Sequence, residues 1–178
     1  MTRSQRARHG RRQVGLALAG ATVAVLAAAP VSSASAAPQN APQDSAAVHL
    51  FNPNSGLCLN VAGYSQDPSA HGEIWNCVNQ NAESWQLRSD GTIYNPNSGL
   101  CLNTPGYGSS PSTHTEIWAC NGNPAEQWQL RSDGTIYNPN SGLCLNVSGY
   151  GTSPSSWTEL WFCNGNYAEK WIQFTPPQ

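Results

Sequence analysis

An internal repeat of fixed length constrains this 178-residue chain more than any other feature. Cys58, Cys101 and Cys144 are 43 residues apart, and so are Cys77, Cys120 and Cys163, and Trp85, Trp128 and Trp171. Residues 85–103 are identical to residues 128–146, WQLRSDGTIYNPNSGLCLN, and no insertion shifts the register. Self-similarity at one period marks a repeat architecture. The first copy starts near Val48 and the last ends near Phe174. The length allows one domain rather than two.

Each unit reads as β-structure. The sequence Ser-Asp-Gly-Thr at 89–92 and 132–135 is a turn signal between short apolar runs. Asn-Pro-Asn-Ser-Gly precedes each Leu-Cys-Leu-Asn and is a second turn. The polar stretch 106–115, GYGSSPSTHT, is a third. Strands such as TIYN, LCLN, EIWAC and QWQL lie between them, and no convincing helical period occurs outside the N-terminal segment. Four short strands per unit give about twelve strands.

The six cysteines follow the repeat. Each unit holds one Cys in Cys-Leu-Asn and one in Trp-x-Cys, 19 residues later. An even count in an exported chain implies disulfides. The repeat selects Cys58–Cys77, Cys101–Cys120 and Cys144–Cys163 from the possible pairings. A metal site is the weaker reading: there is no C-x₂-C spacing and no His at a matching distance in all three units.

The N-terminal segment has the form of an export signal. Five of the eight basic residues lie in the first twelve positions, followed by an uncharged apolar run at 14–29 and then small residues. This arrangement predicts a secretory signal peptide over 1–36, cleaved after Ala34-Ser35-Ala36. Sixteen apolar residues are short for a membrane span. The pair Arg11-Arg12 leaves twin-arginine export open as a route. Residues 37–46 read as a flexible polar lead, and 47–178 as the folded domain. Beyond the signal, three basic residues (Arg88, Arg131 and Lys170) face ten acids, a balance of −7. A nucleic-acid backbone or an anionic membrane surface needs clustered Lys and Arg, so neither nucleic acid binding nor membrane insertion is expected.

Taken together these motifs resemble the ricin-B-type β-trefoil lectins. The shared elements are Cys-Leu-Asn (Cys-Leu-Asp in the family), a long polar loop, Ile/Leu-Trp-x-Cys, a closing Trp and, in the second and third units, Asn-Gly after that cysteine. They cover nearly the whole mature chain, three times in register. The resemblance implies an all-β trefoil: a pseudo-threefold barrel of six strands capped by three hairpins, with a sugar pocket near the surface of each lobe. It also exposes four departures common to all three units. The family's Asp after Cys-Leu is Asn60, Asn103 and Asn146, and its Gln two before the strand Trp is Glu73, Glu116 and Glu159. Its Gln two before the closing Trp is Glu83, Glu126 and Glu169, and the Asn just before that is Ala82, Ala125 and Ala168. Random decay should differ from unit to unit, so uniform changes point to a retained but altered pocket.

Sugars are recognised by stacking of C–H faces on aromatic rings and by directed bonds to hydroxyls. In Thr-Glu-Ile-Trp-Ala-Cys at 115–120, a strand with Ile117 inward places Glu116 and Trp118 together on the other face. The same holds for Glu73 with Trp75 and for Glu159 with Trp161. The expected carbohydrate-binding set is therefore Asn60, Glu73, Trp75 and Glu83, with Asn103, Glu116, Trp118 and Glu126, and Asn146, Glu159, Trp161 and Glu169. Each Asn either offers its amide to a sugar or closes a turn by bonding backbone. Trp85, Trp128 and Trp171 read as core residues. Tyr64, Tyr107 and Tyr150 either stack on ligand or cover the barrel. One column diverges as His71, His114 and Trp157, which either tunes each pocket or is neutral.

The expected function is a secreted lectin with up to three equivalent sites for glycans or polysaccharides, working without cofactor or metal. The alternative is a protein-binding trefoil, an inhibitor or toxin component with vestigial pockets. Its usual single reactive loop fits poorly with three near-identical loops. Glycoside hydrolases use two carboxylates, but three active sites in one small chain are not expected, and no Ser-His-Asp set recurs.

Overall fold

The computed structural model describes residues 46–176. The predicted signal peptide and all but the last residue of the predicted lead lie outside the described residues. Twelve strands are formed among them, four per unit. The first unit contributes β1 (His49–Asn52), β2 (Leu57–Val61), β3 (Gly72–Trp75) and β4 (Gln86–Leu87). The second contributes β5 (Ile93–Asn95), β6 (Leu100–Asn103), β7 (Glu116–Trp118) and β8 (Gln129–Leu130). The third contributes β9 (Ile136–Asn138), β10 (Leu143–Val147), β11 (Ser156–Trp161) and β12 (Ile172–Phe174). Among the described residues the only helical segments are single 3-10 turns.

Six of the strands close into a ring. Antiparallel pairs join β4 to β5, β8 to β9 and β12 to β1. Backbone bonds join the others within each unit. Val48 and Trp85 exchange N–H···O bonds of 2.8 and 2.9 Å, and the amides of Trp128 and Trp171 donate to Gly91 O and Gly134 O at 2.8 Å. The hairpins β2–β3, β6–β7 and β10–β11 form the cap. They meet where β3 pairs with β11 and where His71 bridges to Glu116 and His114 to Glu159. A closed six-strand ring with three capping hairpins is a β-trefoil, as the resemblance implied.

Local chemistry explains the turns and their ties. In the Ser-Asp-Gly-Thr turns, Asp90 and Asp133 each accept from the amide and hydroxyl of the Thr two residues on, at 2.9 and 2.7 Å. The Asn opening Asn-Pro-Asn-Ser-Gly does more than turn the chain. Asn95 donates to Ala82 O and Ser84 O, Asn138 to Ala125 O and Gln127 O, and Asn52 to Ala168 O and Lys170 O. Each unit is thereby bolted to the one before it, and the first to the third. The closing seam differs in its outer contact. Arg88 lies 3.5 Å over Tyr94 and Arg131 3.6 Å over Tyr137, whereas at the seam Phe174 packs edgewise on Phe51.

The core is threefold as well. Trp85, Trp128 and Trp171 are buried, and their indole N–H groups donate to Leu59 O, Leu102 O and Leu145 O at 2.9–3.0 Å. They pack with Ile74, Ile117 and Leu160 of the cap strands in one apolar cluster. This agrees with their reading as core residues. The disulfides pair as expected, each tying a buried Cys on the first strand of a cap hairpin to the residue two beyond its second strand's Trp.

Two adjacent columns diverge where the three units meet. His71, His114 and Trp157 come together, with His71 stacked on Trp157 at 4.7 Å and His114 edge-on to it at 5.0 Å. One step along, a Cβ on Gly72 would lie 2.5 and 2.6 Å from the hydroxyls of Thr115 and Thr158. At this second column the two threonine hydroxyls already fill the space a third side chain would need.

Candidate functional site

The strand register builds the site. Asn60 lies opposite Glu73, Asn103 opposite Glu116 and Asn146 opposite Glu159. Residues directly opposite in an antiparallel pair share a face. The side chains meet: the Asn amide donates to the Glu carboxylate at 2.9, 2.9 and 3.2 Å. Ile74, Ile117 and Leu160 point the other way and are fully buried, so the alternation read from the sequence holds. Trp75 and Trp161 are half-buried and Trp118 is 39% exposed. Two of the four uniform departures thus compensate each other. Where the family carries Asp and Gln this chain carries Asn and Glu, so the carboxylate has moved to the partner strand and the acid–amide pair is kept. In the third lobe the Asn146 amide also donates to the backbone oxygen of Val147 at 2.9 Å. The Oδ1 atoms of all three Asn, in residues at most 5% exposed, have no hydrogen-bond partner. Burial raises the Glu73 carboxyl above its ordinary range, against the lowering effect of donors from Asn60 and Ser155.

A cavity of about 360 Å³ opens over this face in the second lobe, lined by Asn103, Tyr107, Glu116, Trp118, Asn121 and Ser69. Three of these residues, Tyr107, Asn121 and Ser69, lie outside the set expected from the sequence. Tyr107 and its equivalents Tyr64 and Tyr150 are exposed, so they do not cover the barrel. All three hold φ of 56–58°, a left-handed conformation uncommon for a tyrosine. Ser69 comes from the first unit, so the cavity is shared between lobes. Its amide donates to Ile117 O, as Ser112 does to Leu160 O and Ser155 to Ile74 O, each at 2.9 Å. Ser155 also hydrogen-bonds Glu73. These serines have φ of 65–69°. Strained non-glycine backbone recurs at functional sites, and here six such residues flank the same face in threefold array. The serines sit in one column of the repeat, which was visible in the sequence, but only the topology shows that each serves the neighbouring lobe.

The glutamates before the closing Trp are placed elsewhere. Glu83, Glu126 and Glu169 have no exposed surface. The 3-10 turns Asn81–Glu83, Pro124–Glu126 and Tyr167–Glu169 fold each carboxylate back onto the loop after the disulfide. Glu126 accepts from the amides of Asn121 and Gly122 at 3.0 Å and from the Asn123 side chain at 2.8 Å. Glu169 repeats this with Asn164, Gly165 and Asn166, and Glu83 accepts from the Val78 amide at 3.1 Å. The expectation that they contact sugar is therefore corrected: a buried, amide-bonded carboxylate shapes the loop and offers the ligand nothing. Asn121 and Asn123, which that loop presents at the cavity, are the residues it positions.

The third lobe carries extra aromatic surface. Phe162 and Tyr167, 57% and 73% exposed, stand where the other units have Asn76 and Ala119, and Asn81 and Pro124. The Phe162 ring lies 5.7 Å from that of Trp161. The position equivalent to Tyr167 lines a cavity of about 360 Å³ beside Tyr64 in the first lobe.

Known structures share this architecture. A designed threefold-symmetric protein, ThreeFoil, matches 73% of this chain and 99% of its own at 21% identity with a TM-score of 0.68. The agglutinin from Abrus precatorius matches 73% of this chain at 25% identity with a TM-score of 0.64. The match spans 48% of that chain, about half its length. The C-half of an earthworm R-type lectin, solved in complex with GalNAc, matches 72% of this chain and 98% of its own at 16% identity with a TM-score of 0.62. No curated protein sequence matches the chain. The model of the ricin-type β-trefoil lectin domain matches residues 46–171, which include the acid–amide pairs of all three lobes. With the closed ring, the three clamped hairpins and that match, the chain belongs to the ricin-type β-trefoil lectin domain family.

Proposed function

We propose that this is a secreted carbohydrate-binding protein with three sugar sites, one per lobe, acting on glycans or polysaccharides. The observation that carries the reading is the second-lobe cavity, where an Asn103–Glu116 acceptor pair faces the rings of Trp118 and Tyr107. That is the pairing of directed polar groups with aromatic faces that a sugar requires. The first and third lobes repeat the acid–amide pair and the Trp. Secretion is supported by the signal-like residues 1–36 and by three disulfides in the folded part. Weak sites on one rigid body gain by multivalency when the ligand repeats. A hydrolytic role is not proposed, since the second recurring glutamate of each unit is buried on backbone amides rather than opposed to the first across a cleft.

Glycan arrays and polysaccharide pull-downs test this. Replacing Trp75, Trp118 and Trp161 together by Ala is expected to remove binding, each indole costing its own site about tenfold, on the order of 1.4 kcal/mol. Equal binding by the parent and the triple variant overturns the proposal. The third lobe is expected to lead on chain-length dependence: Phe162→Ala with Tyr167→Ala should weaken binding of long oligosaccharides about tenfold while leaving monosaccharide affinity unchanged. Isothermal titration with a length series reads the difference.

A further inference from the structure

We propose that the ligand class of these sites is an amino sugar with a free, protonated amine, carried repeatedly on a polymer. The proposal rests on the carbohydrate reading above and narrows it. Each lobe presents a carboxylate (Glu73, Glu116 or Glu159) whose oxygen already takes the partner Asn amide N–H. What remains toward the cavity of the second lobe is the second carboxylate oxygen of Glu116, an acceptor only; Glu73 also takes a bond from Ser155, and the Oδ1 atoms of Asn60, Asn103 and Asn146 are buried without a partner. These Asn residues are 1–5% exposed, and Asn103 and Glu116 both line the open cavity.

A sugar hydroxyl donates one hydrogen and carries no charge. An ammonium donates three and carries a full positive charge, so its bond to the carboxylate is of the stronger, charge-assisted kind. The rings beside it act in the same direction. Trp118 and Tyr107 line the cavity, and a cation within about 6 Å of an indole or phenol face is attracted by the ring's negative face. The protein's own cations are placed elsewhere. Arg88 and Arg131 lie over Tyr94 and Tyr137, and Lys170 approaches Asp133 at 3.6 Å. Beyond residue 45 the chain has nine acids and three bases, so the surrounding field also attracts a polycation. An N-acetylated sugar has lost the charge and keeps one amide N–H. It meets the same pocket with a weaker match.

Binding is measured by calorimetry with three hexamers of equal length: glucosamine, N-acetylglucosamine and glucose. The free-amine hexamer is expected to bind at least tenfold tighter than the other two, with the advantage shrinking as salt is raised toward about 1 M. Replacing Glu73, Glu116 and Glu159 together by Gln is expected to erase the preference while keeping the Asn–side-chain bond and the melting temperature. The Trp75→Ala, Trp118→Ala, Trp161→Ala variant has unchanged charge and separates site binding from general attraction of a polycation; it should lose the free-amine hexamer. Equal affinity for the three hexamers overturns the amino-sugar proposal and leaves the carbohydrate reading standing, whereas binding retained in full by the Trp variant overturns both. Absence of binding to all three hexamers and to a glycan array overturns both.

Discussion

Reduction of the three disulfides is expected to lower the melting temperature by about 20 °C or more and to leave the chain largely unfolded at about 37 °C. Each bridge closes a loop with a sequence separation of 19. In the chain-entropy view a loop of that size stabilises by about 3 kcal/mol. Three together rival the 5–15 kcal/mol that typically holds a whole domain. The location adds to the arithmetic. Each bridge clamps a cap hairpin, and the hairpins are what β3, β7 and β11 use to meet around the centre. Cys58, Cys101 and Cys144 are fully buried, but their partners lie on exposed positions, so a soluble reductant can reach them. Near-ultraviolet circular dichroism follows the loss through the buried indoles. The double replacement Cys101→Ser with Cys120→Ser should give about one third of the full effect, because the three clamps sit in separate hairpins. An unchanged melting temperature after complete reduction, verified by thiol titration, contradicts this account.

The parts of the molecule that repeat were legible in the sequence, and the parts where repeats meet were not. The 43-residue period, the Cys pairing, the turns and the core role of Trp85, Trp128 and Trp171 all follow from chemistry within one unit, and all are found. Alternation about Ile117 placed Glu116 and Trp118 correctly, because a strand's period of two is local. Three features involve contacts between units. Ser69 reaches the pocket of the second lobe, Asn52 ties the first unit to the third, and His71, His114 and Trp157 pack on one another. A sequence column shows that such residues recur or diverge but not what they face. Glu126 failed for a different reason. Its surroundings are local in sequence, yet a 3-10 turn of three residues leaves no periodic trace, so the inward direction of the carboxylate had no signal.

That inward carboxylate leads to a pH dependence opposite to ordinary acid denaturation. Burial raises the carboxyls of Glu83, Glu126 and Glu169 above their ordinary range, outweighing the backbone amides that favour the charged form. A carboxyl whose folded pKa lies above its unfolded one binds its proton more tightly in the fold. Its contribution to stability is complete below the unfolded value, about 4.3, and is lost as pH rises through the folded value. Three such groups act together, so the melting temperature is expected to fall as pH is raised from about 4 toward 7. His49 acts in the opposite sense over the acid part of the same range, one group against three. It is buried, 3.7 Å from Glu83, and burial pushes its imidazole below the usual range. Its charged form is disfavoured in the fold, so its contribution to stability is lost as pH falls below the ordinary imidazole value of about 6.5. Replacing Glu83, Glu126 and Glu169 together by Gln should flatten the decline toward neutral pH and leave only the His49 limb. Its constant cost is the bond from the Asn123 and Asn166 side chains, about 1 kcal/mol each. Glu126→Ala goes further, since it strips the amides of Asn121 and Gly122 of their acceptor, and should cost about 2–3 kcal/mol at any pH. Melting curves of the parent and the two variants across pH decide it. A parent curve that rises steadily from pH 4 to 7, or a triple-Gln curve parallel to it, contradicts the assignment of these carboxylates as buried, proton-retaining supports of the loop that carries Asn121 and Asn123.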